Sequence, residues 1–304
     1  MPLDADRILD RQRLQSQISR WRLATFVSLF LITGLLLADR GEKLVNRDRI
    51  ALVEIEGIIL NDQSRILALE KAKRDPSVRA LIVRINSPGG TVVGGEALYR
   101  AIRFVSESKP VVALIGDMAT SAGYMAAIAA NRIYAHRGSV TGSIGVLFQT
   151  AEFTALLDRL GIRVEAIKSN ALKGLPSPFE KISPDARATT RAVIDNIQKM
   201  FIELVAERRG FSLEQARRLS DGRIYSGEMA LRKGLIDEIG SSREALNWLW
   251  KDKMLPKDLD IVPIQNTSRL HKWFDSMVSL AQNFLRSETL SLDGIISIWQ
   301  PLYR

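Results

Sequence analysis

Ser121, in the run Thr120-Ser121-Ala122-Gly123-Tyr124, stands at the head of a stretch that is almost wholly apolar and reads as a buried helix. The amino end of a helix carries partial positive charge and unpaired N–H groups, which favour negative charge developing at or beside a hydroxyl placed there. A serine in that position serves equally well as an ordinary helix cap. A second place of interest is Asn86-Ser87-Pro88-Gly89-Gly90, directly after a strand-like run. Its two glycines free the backbone to turn and to present N–H groups that can hold an oxyanion. Taken alone it is a tight turn.

An isolated hydroxyl is a poor nucleophile at neutral pH, so Ser121 needs a base. The chain has two histidines, His136 and His271, and neither has a carboxylate close in sequence to orient it. Both read as structural, with His136 kept as the alternate base. A lysine does the same work where burial leaves its amine neutral. The segment Lys168-Ser169-Asn170-Ala171-Leu172-Lys173-Gly174 offers two. Lys173, flanked by Ala171, Leu172 and Leu175, has company that can desolvate an amine, whereas Lys168 abuts a strand end. Most lysines are solvated surface groups, so neither stands out by itself.

Such groups act together only if a scaffold brings them together. The β-branched runs at 50–55, 80–85, 111–115, 132–135 and 163–167 read as strands, and helical patterns cover 66–73, 94–108, 121–131 and 151–160. Strand and helix in alternation predict an α/β fold, a mostly parallel sheet with crossover helices. A long helix is expected over 183–209, with Ser183 as its N-cap, Pro184 in the first turn and Gly210 just past its end. Beyond Gly240 the pattern weakens, until Trp273, Phe274, Met277, Leu280, Phe284 and Leu285 give an amphipathic stripe suited to core or partner packing.

Composition narrows the class. Of 304 residues, 46% are hydrophobic and 25% charged, which suits a chain able to bury a sizeable core. The absence of cysteine removes disulfide scaffolds and thiol catalysis and leaves most zinc or haem sites short of ligands, so no metal or cofactor is expected. The net charge of +9, 43 basic against 34 acidic residues, is well mixed with no basic arm, which favours an anionic membrane surface over nucleic acid. Residues 23–38 carry no charge and are bracketed by Arg20, Trp21 and Arg22 before and Asp39 and Arg40 after. They read as an uncleaved transmembrane anchor, short by itself but extended by interfacial Trp21 and Arg22. Arg7, Arg11, Arg13, Arg20 and Arg22 favour an inside N-terminus and a catalytic part outside.

Six motifs occur in a distinctive order: SPGG after a strand, TSAGYMAAIAA, Thr141-Gly142-Ser143-Ile144-Gly145-Val146, the KSxxxK loop, Asp221-Gly222-Arg223-Ile224 and Gly234-Leu235-Ile236-Asp237. In this the chain resembles the signal peptide peptidase A (protease IV) family of membrane-bound Ser/Lys serine peptidases, in its short single-unit form, with a Clp protease/crotonase-like fold. The resemblance implies a nucleophilic Ser121 and a general base Lys173, 52 residues later. It further implies that Ser143 orients the lysine and that the amides of Gly90, with Gly89 as alternate, and Ala122 form the oxyanion hole. The chain departs from the family pattern at Asn170, where glycine is typical, and at Gly174, where aspartate is typical.

The expectation is a membrane-anchored endopeptidase cleaving hydrophobic peptides such as remnant signal peptides. It would sit in a bacterial inner (plasma) membrane with its catalytic domain on the periplasmic side. The implied division is a polar arm at 1–22, the anchor at 23–38, a linker at 39–47, the peptidase domain at 48–240 and a helical extension at 241–304. Longer relatives duplicate the unit, and a single motif set suggests a homo-oligomer that completes each Ser/Lys pair across a subunit boundary. The rival readings are a stomatin-associated membrane protease, a crotonase-like acyl-CoA enzyme and a non-catalytic membrane scaffold. The acyl-CoA reading lacks the carboxylates it would use, since no Asp or Glu lies in the glycine turn or at the head of the Ser121 helix.

Overall fold

The computed structural model describes residues 47–264, together with Trp21, Thr25, Phe26, Ser28 and Leu29. Most of the anchor expected at 23–38, nearly all of the polar arm and the amphipathic stripe after His271 therefore lie outside the described residues. Among the described residues no helix is long and apolar enough to cross a membrane.

Three long strands form the centre: β1 (Arg49–Ile59), β2 (Val78–Gly90) and β3 (Val111–Thr120). All three pair in parallel, β1 with β2 and β2 with β3. Parallel neighbours need a crossover, and the helices α1 (Gln63–Arg74) and α2 (Val92–Ser106) supply it. Asp62 starts α1 by accepting the N–H groups of Ser64 and Arg65, and Lys71, Lys73 and Arg74 place positive charge at its carboxyl end. After β3 the chain forms α3 (Ala122–Ile128) and returns as β4 (Arg132–Ala135) and β5 (Val140–Gly142).

β4 pairs with the first half of β3 and β5 with its last three residues, so one edge of β3 is shared between two strands. The chain continues through α4 (Thr154–Arg159), α5 (Pro184–Arg209) and α6 (Leu213–Leu219), then β6 (Ile224–Ser226) and α7 (Gly227–Arg232). The described part ends with β7 (Glu238–Ile239), α8 (Ser242–Lys251) and β8 (Asp260–Pro263). β6 runs antiparallel to β5, β7 parallel to β4, and β8 parallel to β1 at the far edge, giving the order β6-β5-β3-β2-β1-β8.

Both faces of the sheet are covered, as parallel sheets require. On one, Val53, Ile55, Val83, Ile85 and Ala113 meet Leu69 of α1, Ile102 and Val105 of α2, every residue of α3 but Gly123, and Phe201 and Val205 of α5. On the other, Ile50, Leu52, Ile82, Val112 and Leu114 meet Ala245 and Leu249 of α8. Ser183 caps α5 through the Ala186 N–H, Pro184 occupies its first turn and Gly210 closes it at φ 65°, matching the bounds expected from sequence. Ser241 and Glu244 start α8 with a reciprocal capping box, so the sheet gains a covering helix and an edge strand after Gly240.

Two expectations are corrected. Residues 163–167, read as a strand, have no regular secondary structure, and the helix expected over 151–160 shrinks to α4, none of whose residues is buried. The reason is a missing partner: Leu147 is 82% exposed and Ile167 97%, with Leu156, Leu160 and Val164 exposed between them. A strand needs a ladder and an apolar helix face needs a cover, and the described residues supply neither over the segment.

Stability should follow that division. Ile102→Ala, at a fully buried position, is expected to destabilise the protein by about 2–5 kcal/mol in urea unfolding, through lost burial and a cavity. Ile167→Ala should change the stability of a separated chain by less than about 0.5 kcal/mol.

Candidate active site

Thr120 ends β3 and Ala122 begins α3, so Ser121 is the single residue that turns strand into helix. It makes the turn at φ 53°, ψ −120°, a region that costs a side-chain-bearing residue about 1–3 kcal/mol and persists only where the surroundings enforce it. Its N–H donates to the Gly142 carbonyl at 2.9 Å, and its own carbonyl accepts the Met125 N–H at 2.9 Å. The backbone is thus clamped on both sides. The hydroxyl makes no capping bond to α3, so Ser121 is not the ordinary helix cap that its position in the sequence equally allowed.

The helix behind it is short and entirely buried, with no polar face to orient it. Arg208 of α5 anchors its far end, donating from Nε to the Ile128 carbonyl at 2.8 Å and from Nη2 to the Ala130 carbonyl at 3.0 Å. A cation on these last carbonyls complements the helix dipole and leaves the positive end facing Ser121. Tyr124 adds a bond from its hydroxyl to the Leu235 carbonyl at 2.8 Å, and burial pushes that hydroxyl up from its ordinary pKa.

The glycine pair closes on the serine from β2. Gly89 and Gly90 are the last two residues of the strand rather than a separate turn after it. Gly89 has φ 110°, and a Cβ built there would lie 2.8 Å from Ser121 Cβ and 3.3 Å from the Ala122 nitrogen. A Cβ on Gly90 would lie 1.9 Å from the Ile59 carbonyl oxygen. Only glycine lets β2 approach β1 and the serine this closely. The end of β2 therefore lies against the Ala122 amide at the head of α3.

Ser143 belongs to the same knot. Thr141 fixes β5 to β3 by donating its hydroxyl to the Ala119 carbonyl at 2.7 Å, and the next carbonyl, that of Gly142, holds Ser121. Ser143 follows at φ 48°, with its N–H donating to the Arg223 carbonyl at 2.8 Å. Arg223 pairs with Asp221, and that guanidinium holds the Asp221 carboxyl below the usual range. Neither Arg208 nor the role of the Arg223 carbonyl could be found from sequence spacing, since both act through atoms far apart in the chain. The Asp221-Gly222-Arg223-Ile224 motif was the only signal.

The structure thus brings together Ser121, Gly89, Gly90, Ala122 and Ser143. Lys173 lies in an exposed turn, its N–H donating to the Asn170 carbonyl at 3.0 Å, and among the described residues its amine has no hydrogen bond or ion pair. Lys168, the other lysine of the loop, is engaged by the Glu180 carboxylate. His136 is exposed just past β4, one residue beyond the pairing of Ile115 with Ala135 and five positions back along β3 from Ser121. Among the described residues no group of three or more His, Asp or Glu side chains is placed to hold a metal ion.

Comparison with known proteins places this geometry. Residues 103–255 match Peptidase family S49. Over 207 residues the chain is 34% identical to a Synechocystis sp. protein whose name assigns it provisionally to the proteases, an alignment covering 68% of this chain and 75% of the relative. It is 31% identical over 262 residues to Protease 4 of Haemophilus influenzae, covering 82% of this chain and 41% of that longer protein. It is also 31% identical over 216 residues to the chloroplastic serine protease SPPA of Arabidopsis thaliana, covering 66% and 32%. With the match to half of its length and the first relative covered over three quarters of its own, the chain belongs to peptidase family S49, the signal peptide peptidase A group of proteases.

Proposed function

We propose that the protein is a serine endopeptidase in which Ser121 is the nucleophile and Lys173 of a neighbouring copy is the general base. The observation that carries this reading is the conformation of Ser121, held at positive φ with an uncapped hydroxyl against Gly89 and the Ala122 amide. Strain of that kind is kept at working sites, where the surroundings enforce it. Family membership supports peptide bonds as substrate and leaves the acyl-CoA reading without support.

In the first step the Ser121 hydroxyl attacks the scissile carbonyl while a neutral Lys173 amine takes its proton. The tetrahedral oxyanion accepts the N–H groups of Ala122 and Gly90, and Ser143 orients the amine. The resulting ammonium returns the proton to the leaving amine, giving an acyl-enzyme. Water, activated by the same lysine, then releases the acid and regenerates Ser121.

Two features support delivery of Lys173 from a second copy. In one chain Lys173 is exposed, whereas a lysine that serves as a base needs a dry pocket around its amine. The same loop lies in the segment whose apolar side chains, Leu147 and Ile167 among them, lack cover among the described residues. A neighbour packed on that segment would dry the amine and give residues 163–167 a strand partner. The reading extends to a ring-like homo-oligomer with a Clp-protease-like catalytic unit at 48–240, anchored through 23–38 with that unit on the periplasmic side of the inner membrane. The substrates are then hydrophobic peptides such as remnant signal peptides.

Ser121→Ala and Lys173→Ala are each expected to lower peptide turnover by at least about 10³-fold. Mixing the two dead variants under subunit exchange should restore roughly a quarter of the sites, because only a shared site can draw serine and lysine from different chains. No recovery on mixing, with each variant dead, would place both groups in one chain. Gly89→Ala is expected to lower both the stability and, by about 10²-fold, the turnover of the folded protein, since its Cβ at φ 110° would displace Ser121.

A further inference from the structure

Ser87 is fully buried, and its hydroxyl has no part in the reaction written above. Its Oγ donates to the Gly57 carbonyl at 2.6 Å and accepts the Gly89 N–H at 3.1 Å. Gly57, at φ 66°, lies where the β1–β2 register shifts between Glu56 and Ile58. The irregularity opens the ladder, and the hydroxyl fills the gap between a carbonyl on one strand and an amide on the other. On its other side, a Cβ built at Gly123 would lie 3.1 Å from the Ser87 carbonyl oxygen, so the first turn of α3 rests directly on Ser87. The irregular stretch of β1, the glycine pair and the Ser121 helix thus meet at one residue.

The hydrogen bonds around Gly90 give this meeting point a chemical consequence. The Thr91 N–H donates to the Ile59 carbonyl at 2.9 Å, toward β1, and the Gly89 N–H is taken by Ser87 on the same side. With the Thr91 N–H bonded to β1 and the Gly89 N–H to the Ser87 hydroxyl of its own strand, the Gly90 N–H is the one left for the β3 side, where Ser121 and Ala122 lie. We propose that Ser87 is a positioning residue for the oxyanion hole. Its Oγ donates to the Gly57 carbonyl, accepts the Gly89 N–H and lies 3.3 Å from the Gly89 carbonyl oxygen, so it holds the peptides on both sides of Gly89 and leaves the Gly90 N–H, and not that of Gly89, to serve the oxyanion. The inference rests on Ser121 being the nucleophile.

Removing Oγ leaves the N–H of buried Gly89 without its partner and frees the Gly89 carbonyl from the same contact. The peptides on both sides of Gly89 then turn to find new partners, which withdraws the Gly90 N–H. Loss of one oxyanion donor lowers kcat by about 10²–10³-fold while the ground-state complex is little affected.

The test compares Ser87→Ala, Ser87→Cys and Ser121→Ala in the full chain, with a fluorogenic hydrophobic peptide as substrate. Circular dichroism melting of each variant sets an assay temperature at which all are folded. Ser87→Ala should lower kcat about 10²-fold with KM within about threefold, and Ser87→Cys, whose thiol is a weak donor, should fall between it and the parent. Affinity for a peptide aldehyde, which forms an oxyanion on Ser121, should drop in parallel with kcat, while affinity for the product peptide stays unchanged. A purely structural role would move the melting temperature without this split. Full kcat in Ser87→Ala with Ser121→Ala inactive overturns the Ser87 proposal alone; turnover surviving in Ser121→Ala overturns the nucleophile as well. A Ser87→Ala chain that folds at no temperature also counts against the proposal, which assigns the hydroxyl to two amides rather than to the core.

Discussion

The bond from the Ser121 N–H to the Gly142 carbonyl is the constraint on which the rest of the site depends. It ties the only residue between β3 and α3 to the neighbouring strand β5, and so holds a serine in a backbone region that it would otherwise leave. The opposite wall is the Gly89 backbone, too close to tolerate even a methyl group. Between these two contacts the side chain has no capping duty, and the amide of Ala122 is presented beside it. Strain, close approach and an uncommitted hydroxyl are consequences of one local geometry.

That geometry is expensive, and the interior around it explains how it is maintained. A helix buried on all sides has no solvent-facing residues to set its angle, so its orientation comes from its ends. Arg208 holds the carboxyl end through two carbonyls, Tyr124 ties the flank to Leu235, and Ser87 supports the first turn. The three hydrogen bonds of Arg208 and Tyr124 lie in an otherwise apolar layer, where such a bond is directional and an unmade one is costly. The apolar packing supplies the cohesion; the few polar contacts supply the angle.

The segment between Leu147 and Phe179 has the opposite character. Its apolar side chains lie outside the core, and Lys173 is open to solvent. The strained serine and the glycine pair are thus held by the packed sheet, whereas the proposed base stands on a segment that lacks the burial a neutral amine needs.

Much of the fold is legible in the residue order, because β-branched runs and helical periodicity act over a few neighbours. β1, β2 and β3 are visible in this way, and Ser183, Pro184 and Gly210 mark the ends of α5. β8, four exposed residues long, is not, since only its ladder with β1 makes it a strand. The run at 163–167 has strand composition without a strand, because propensity cannot provide the missing partner. Of the site, the sequence by itself determined which residues could react and their order from Ser87 to Arg223. Tertiary structure alone decided that Ser121 is strained and uncapped, that Gly89 touches it, that Ser143 hangs from Arg223 and that Ser87 bridges two strands. Each of those depends on the approach of atoms separated by tens of residues, and packing distance is a property of the folded chain that no local pattern encodes.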